Sequence, residues 1–267
     1  MQKQSQKPRV QEVHKPTLTG SWHGRDAWRA AFKQMGAMVL ITLVYLLTSL
    51  IFSFDSLAGR IIAAVMILGV VGYYQYMQGM SLGARDAALG ETLYARQTEG
   101  KPVAPQDKER CFHPAKGFLI ALAGALPFVI FCAVFACLTQ EATYTLGVLP
   151  SWTETMLQGD FGDALRYYEN QPGMQALDVL RIMDRAMVMP FINVAAYLGN
   201  HAALVVERLS PLLVLPAPLA YALGYGQGMN ARVRVNTAIQ LGVDKKKRKE
   251  RRARRQRQRS NTPERLV

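Results

Sequence analysis

The sequence predicts an all-α integral membrane protein. It would have four transmembrane helices as two hairpins, an amphipathic or re-entrant segment on the outer face, and a disordered basic C-terminal tail. Three observations carry this. Half of the 267 residues are hydrophobic while 19% are charged, and mean hydropathy is +0.03, so apolar and polar material must be segregated into blocks, as in membrane spans with soluble ends. Charge-free stretches cover 34–54, 61–84, 117–140 and 209–231, each long enough for a hydrocarbon core that takes about 20 helical residues. Finally, residues 232–267 hold fourteen Lys and Arg against three acids, so the tail supplies +11 of the net +13. The basic surface is thus local to one end of the chain.

Residues 1–20 are polar, basic and poor in apolar side chains, which predicts disorder. Nothing in them has the apolar core of a signal peptide, so the N-terminus is expected to be kept. A juxtamembrane helix should follow, with Trp22 and Trp28 where interfacial aromatics are expected. It opens the first transmembrane unit, 21–84, in which the turn around Asp55 and Gly59 is so short that spans one and two should form an antiparallel hairpin. The segment 85–116 has six basic and five acidic residues with Gly100, Pro102 and Pro105, the composition of a solvated cytoplasmic loop with a short helix near its start.

The second transmembrane unit, 117–231, begins with a span containing Pro127, tolerated in lipid where neighbouring groups satisfy the freed carbonyl. Its extracytoplasmic part, 141–208, starts with six acids opposed only by Arg166 up to Asp178, and holds a capping-box pattern, Ser151-Trp152-Thr153-Glu154. Next, Val179, Leu180, Ile182, Met183, Ala186 and Met187 alternate with Asp178, Arg181 and Arg185 at helical spacing. This predicts a helix lying along the membrane surface. Residues 186–206 are charge-free but interrupted by Pro190, Asn193, Gly199, Asn200 and His201.

Charge decides whether that segment crosses. With four spans the flanks carry +5 for 1–33, +1 for 85–116, −5 for 141–178 and +11 for 232–267. Every positive flank then lies on one side, as the positive-inside rule requires. A fifth crossing would put the basic tail outside. The expectation is therefore a multi-pass protein of a bacterial-type cytoplasmic membrane with both termini cytoplasmic, and with 186–206 on the outer face or dipping into it.

The string Tyr-x-Gln-Gly-Met occurs twice, at Tyr76–Met80 and Tyr225–Met229, near the inner ends of spans two and four. It suggests duplication, or the ordinary clustering of aromatic and small residues at an interface. If it is a repeat, Gly79 and Gly228 would allow close helix approach.

Catalytic chemistry is not apparent. The charge-free spans lack the ionisable residue that ion-driven transporters place there. Tyr73, Tyr74, Gln75 and Gln78, with Tyr225 and Gln227, could line a polar path, while interfacial anchoring explains them more simply. Cys111, Cys132 and Cys137 give no disulfide framework. The four histidines are far apart, and Cys111-Phe112-His113 is the nearest approach to metal-ligand spacing. Asp160-Phe161-Gly162 spells a kinase string without the other kinase elements, and Asn200-His201 suits an outer-face hydrogen-bonding site. No phosphate-binding glycine loop or nucleophile elbow occurs. No catalytic or metal site, cofactor or enzymatic activity is expected.

The tail is the candidate binding element, through Lys245, Lys246, Lys247, Arg248, Lys249, Arg251, Arg252, Arg254, Arg255, Arg257 and Arg259. Three readings are open. Anionic inner-leaflet lipid would attract each Lys or Arg by about 1 kcal/mol; ribosomal RNA needs only charge and reach; or the charges serve only to set topology. Span four should continue as a helix over 230–241 that Gly242 ends, with Lys245–Arg259 extended by like-charge repulsion until something binds. In composition the tail resembles the basic C-terminal extensions of some membrane insertases, which implies ribosome docking, although the charged groove residue typical of insertase spans has no counterpart here. The functional expectation is a non-enzymatic membrane anchor or assembly factor whose tail binds anionic lipid or ribosomal RNA. The alternative is a small transport or channel component working as a homo-oligomer.

Overall fold

A computed structural model of the chain describes residues 12–52, 54–140 and 176–260, apart from the side chains of residues 50 and 255–260. The acidic stretch 141–175, with its capping-box and Asp-Phe-Gly strings, and Lys3, Lys7 and Arg9 lie outside the described residues. Among those described, every regular element is helical: α1 (Arg25–Ile51), α2 (Leu57–Thr98), α3 (Pro105–Glu109), α4 (Lys116–Leu138), α5 (Ala176–Met187), α6 (Met189–Leu198), α7 (Asn200–Leu213), α8 (Pro216–Gly226) and α9 (Gly228–Ser260). Four stretches are long and apolar enough to cross a membrane: Arg25–Ser49, Leu57–Thr98, Lys116–Leu138 and, as α7 and α8 together, Asn200–Gly226.

The fourth stretch starts nine residues before the charge-free segment 209–231 and includes Glu207 and Arg208. A linear charge count cuts the span at Arg208 because it cannot see cations from another helix neutralising Glu207. Gly199, at φ 109° and ψ 176°, makes the corner between α6 and α7, in a backbone region essentially reserved for glycine.

Spans one and two are not main packing partners, whereas the third span, α4, packs broadly on α7 and α8 of the fourth. α1 and α2 share little contact; α2 packs most extensively on α8, α1 on α4, and α4 joins the two pairs through α7 and α8. The turn at 52–56 is tight, but glycines rather than connectivity decide which backbones meet. A Cβ on Gly83 would lie 3.1 Å from the Gly228 Cα and inside the Tyr225 carbonyl, and one on Gly79 would lie 2.9 Å from the Tyr225 nitrogen. A Cβ on Gly224 would likewise overlap the Tyr76 carbonyl. Gly79-x-x-x-Gly83 thus crosses Gly224-x-x-x-Gly228, the small-residue geometry that lets helices touch in lipid. The two copies of the Tyr-x-Gln-Gly-Met string meet about one helical turn out of register, since Gly228 faces Gly83 and not Gly79.

The central core brings five helices together at Met38, Ile41 and Tyr45 of α1, Ile67 and Val71 of α2, Cys132 of α4, Val188 and Ile192 at α6, and Val214 and Ala217 at α8. Helix α6 is wedged in this bundle against α1, α2 and α7. Outward-facing residues such as Leu40, Leu47, Ile62, Val70, Leu122 and Val134 are apolar and exposed.

Helix α5 corrects the surface-helix expectation. Arg181 and Asp184 are 8% and 0% exposed, whereas Val179, Ile182 and Met183 are 44%, 42% and 47% exposed. Its polar face points into the bundle because its charges have buried partners there; the periodicity was legible, the direction was not.

The short helix expected near the start of 85–116 is the end of α2, which runs on from the second span for 42 residues without interruption, about 63 Å at 1.5 Å per residue. Two expectations at the tail end change. Residues 12–20 are not disordered. The Val13 amide donates to Thr237 Oγ1 at 3.0 Å, Leu18 to the Gly90 carbonyl at 3.3 Å and Gly20 to the Phe112 carbonyl at 3.1 Å, which straps this segment along the protruding end of α2. Nor is the tail extended, as α9 continues through Gly242 to Ser260. Lys, Arg, Gln, Glu and Ala are good helix formers, and packing of the first turns on α2 supplies the nucleus that an isolated basic peptide would lack.

Candidate functional site

The tail end of the bundle is locked by charge. Lys116, first residue of α4, points its Nζ at Asp86 Oδ2 of α2 at 2.7 Å and donates to the Arg110 carbonyl at 3.1 Å. Tyr225 of α8 donates its hydroxyl to the same Asp86 oxygen at 2.9 Å, and the Phe112 ring stacks on the Tyr225 ring at 5.3 Å. All four side chains are buried. Just beyond, Glu91 of α2 accepts from Arg232 Nε at 2.9 Å and Asn236 Nδ2 at 2.6 Å. With Gly83 against Gly228, these contacts run α9 beside the protruding part of α2 for about two turns, so both helices leave the bundle as a paired stalk.

Beyond the stalk every described side chain from Ala238 to Arg254 is exposed. Lys245, Lys246, Lys247, Arg248, Lys249, Arg251, Arg252 and Arg254 therefore stand in solvent on a helix that a folded base holds in place; Arg255, Arg257 and Arg259 continue the same helix. Such an arrangement can bind polyanions by phosphate contacts and counterion release.

The six residues of the polar path do not come together. Tyr73 and Tyr74 are 65% and 57% exposed on the outside of α2, where Tyr74 Oη accepts from Gln78 Nε2 at 2.6 Å. Gln75 is buried and accepts from Gln34 Nε2 of α1 at 3.1 Å. Tyr225 belongs to the Asp86 lock, and Gln227 is exposed with Asn230 at 2.9 Å. The grouping Cys111-Phe112-His113 is structural. Burial pushes the Cys111 thiol up, away from thiolate chemistry, and His113 Nδ1 accepts from the Ala115 amide at 3.2 Å. Among the described residues no three of His, Cys, Asp or Glu gather as metal ligands would.

A second ionic cluster, at the far end of the bundle, was missed by sequence reasoning. Glu207 of α7, 1% exposed, accepts from Arg185 Nε at 2.7 Å and Thr139 Oγ1 at 2.5 Å, with Arg181 Nε at 3.5 Å. Arg181 Nη2 also donates to the Gln140 carbonyl at 2.6 Å, and Asp184 Oδ1 accepts from Ser210 Oγ at 2.7 Å. Burial pushes the Asp184 carboxyl up to about 6, with the Ser210 and Cys132 hydrogen bonds opposing the rise and the Glu207 charge adding to it. The cluster holds α5 across the ends of α4 and α7. Its one sequence signal is that Glu207 is the only acid between Asp184 and Asp244, set against two arginines one turn apart on α5.

No known family matches this chain, and neither a curated protein nor a solved structure is similar to it.

Proposed function

We propose that the protein is a non-enzymatic membrane anchor or assembly factor. Its helical bundle sits in the cytoplasmic membrane with both termini inside, and α9 is held out as a polyanion-binding arm for anionic lipid or ribosomal RNA. The observation that supports this best is the continuity of α9. The helix is pinned to α2 through Glu91, Arg232 and Asn236 and runs directly into eight exposed basic residues within the ten positions 245–254. A charge run serving only topology would need no such base.

The test is crosslinking in native membranes, comparing the full chain with one truncated after Gly242. Loss of RNA or anionic-lipid adducts on truncation is expected; an unchanged adduct set would remove the basis of the reading.

A second reading, a small transport or channel component acting as a homo-oligomer, draws on the buried far-end cluster, because ionisable side chains inside a membrane bundle are costly and tend to be functional. It predicts that Asp184→Asn abolishes a transport phenotype at normal membrane level.

A further inference from the structure

The basic residues of α9 do not share a face. At 100° per residue, Lys245, Lys249 and Arg252 fall on one side of the helix and Lys247, Arg251 and Arg254 on the opposite side, with Lys246 and Arg248 between them. All eight are exposed. A flat anionic surface would meet only one side of such a helix. An interfacial helix also needs an apolar face, and the stretch Lys245–Arg254 offers Ala253 alone.

Distance points the same way. Gly228 faces Gly83 where the apolar part of α2 ends, and the α2–α9 pairing directs α9 away from the bundle. Lys245 then lies about 26 Å and Arg254 about 39 Å along the helix from that level. For a helix standing along the membrane normal, those separations are several times the Debye length of about 8 Å at physiological salt.

Resting on the polyanion-binding reading above, we infer that Lys245–Arg254 is a groove-inserting helix whose ligand has phosphates on two walls: an RNA duplex with its major groove opened by a bulge or internal loop. A regular A-form major groove is too deep and narrow for side chains to enter, and a bulge widens it. A helix about 10–12 Å across with charge on all sides then contacts both strands at once. Each phosphate neutralised adds to the salt dependence of binding.

The experiment uses the full chain in phosphatidylcholine nanodiscs and measures binding of a labelled bulged RNA hairpin. The comparison probes are an unstructured single strand, a DNA hairpin and phosphatidylglycerol vesicles. Two triple variants are compared, Lys245→Ala/Lys249→Ala/Arg252→Ala on one side and Lys247→Ala/Arg251→Ala/Arg254→Ala on the other; alanine preserves the helix, which circular dichroism checks. The bulged hairpin is expected to bind roughly tenfold or more tighter than the single strand, with both triples weakening it to a similar degree, about tenfold or more, as the loss of several phosphate contacts requires. Loss confined to one triple, or equal or tighter binding to single strand, DNA or vesicles, overturns the groove assignment and leaves polyanion binding standing. Binding to none of the probes overturns both.

Discussion

Gly83→Ala isolates the contact that joins α2 to α8. The added methyl would meet the Tyr225 carbonyl and, at 3.1 Å, the Gly228 Cα. Both are backbone atoms, so neither can rotate away and the helices must part. Overpacking of this kind costs about 1–3 kcal/mol. Gly69 and Gly72 are the internal controls, as they lie on the same helix with nothing within 4 Å of the added Cβ. There Gly→Ala should stabilise by about 0.5–1 kcal/mol through helix propensity. The propensity gain is common to all three glycines, so the same chemical change should differ by the overpacking cost, about 1–3 kcal/mol, between sites three and four turns apart on one helix. Reversible unfolding in mixed micelles of dodecyl maltoside and rising dodecyl sulfate, followed by circular dichroism, reads the difference directly. If Gly83→Ala proves as neutral or stabilising as Gly72→Ala, the backbones of α2 and α8 do not cross at these glycines.

Glu207→Gln leaves Arg181 and Arg185 without their carboxylate and should cost about 3–5 kcal/mol, read as lower stability in micelles and faster proteolysis of α5. Asp184 gives a pH signature. Its carboxyl is raised from 3.8 to about 6, so the folded state binds the proton more tightly; stability is greatest below about 4 and falls as pH rises through 6, by about 3 kcal/mol in all. Asp184→Asn should flatten that slope in unfolding curves taken between pH 4 and 7.5, and a slope that survives the substitution would assign it elsewhere. Lys116→Met strands Asp86 in the interior at a cost of about 3–5 kcal/mol, and adding Asp86→Leu should recover most of the loss; melting of the single and double variants decides. Glu91→Ala removes the acceptor that Arg232 and Asn236 share, so spin labels placed at Thr98 and Leu241 should change from a narrow to a broad distance distribution.

Much of the helical layout was legible because apolar length is local. The stretches 34–54, 61–84 and 117–140 each fall largely within a helix long enough to cross a membrane, and Gly79 and Gly228 both proved to be close-approach positions. What was not legible depended on partners distant in sequence. Glu207 reads as the end of a span until Arg185, 22 residues earlier, is placed on it. The face of α5 cannot be chosen from its period, since a polar stripe can face water or buried counter-charges equally well. The strap at residues 12–20 is too poor in apolar residues to fold alone, and it is held by three backbone amides donating to groups far along the chain. The tail departs from expectation for the opposite reason. Like-charge repulsion opposes an isolated helix, whereas α9 inherits its first turns from the packing on α2.

These long-range contacts gather at the two ends of the bundle. Lys116, Asp86 and Tyr225 tie α2, α4 and α8 together where the apolar segment stops, and Glu207 with Arg181 and Arg185 ties α5 to α7 at the other end. Between them the described middle is packed with side chains such as Ile41, Ile67 and Ile192, where Gln34 donates to the buried Gln75. A bundle clamped at both ends and filled between is suited to holding an attached element in a fixed direction. Buried ion pairs add little net stability compared with apolar packing but penalise any arrangement that separates them. That selectivity matters for α9, because a slip of one turn against α2 would part Glu91 from both Arg232 and Asn236. The same contacts that cost the sequence its charge-free simplicity thus fix the direction in which eight basic side chains are presented.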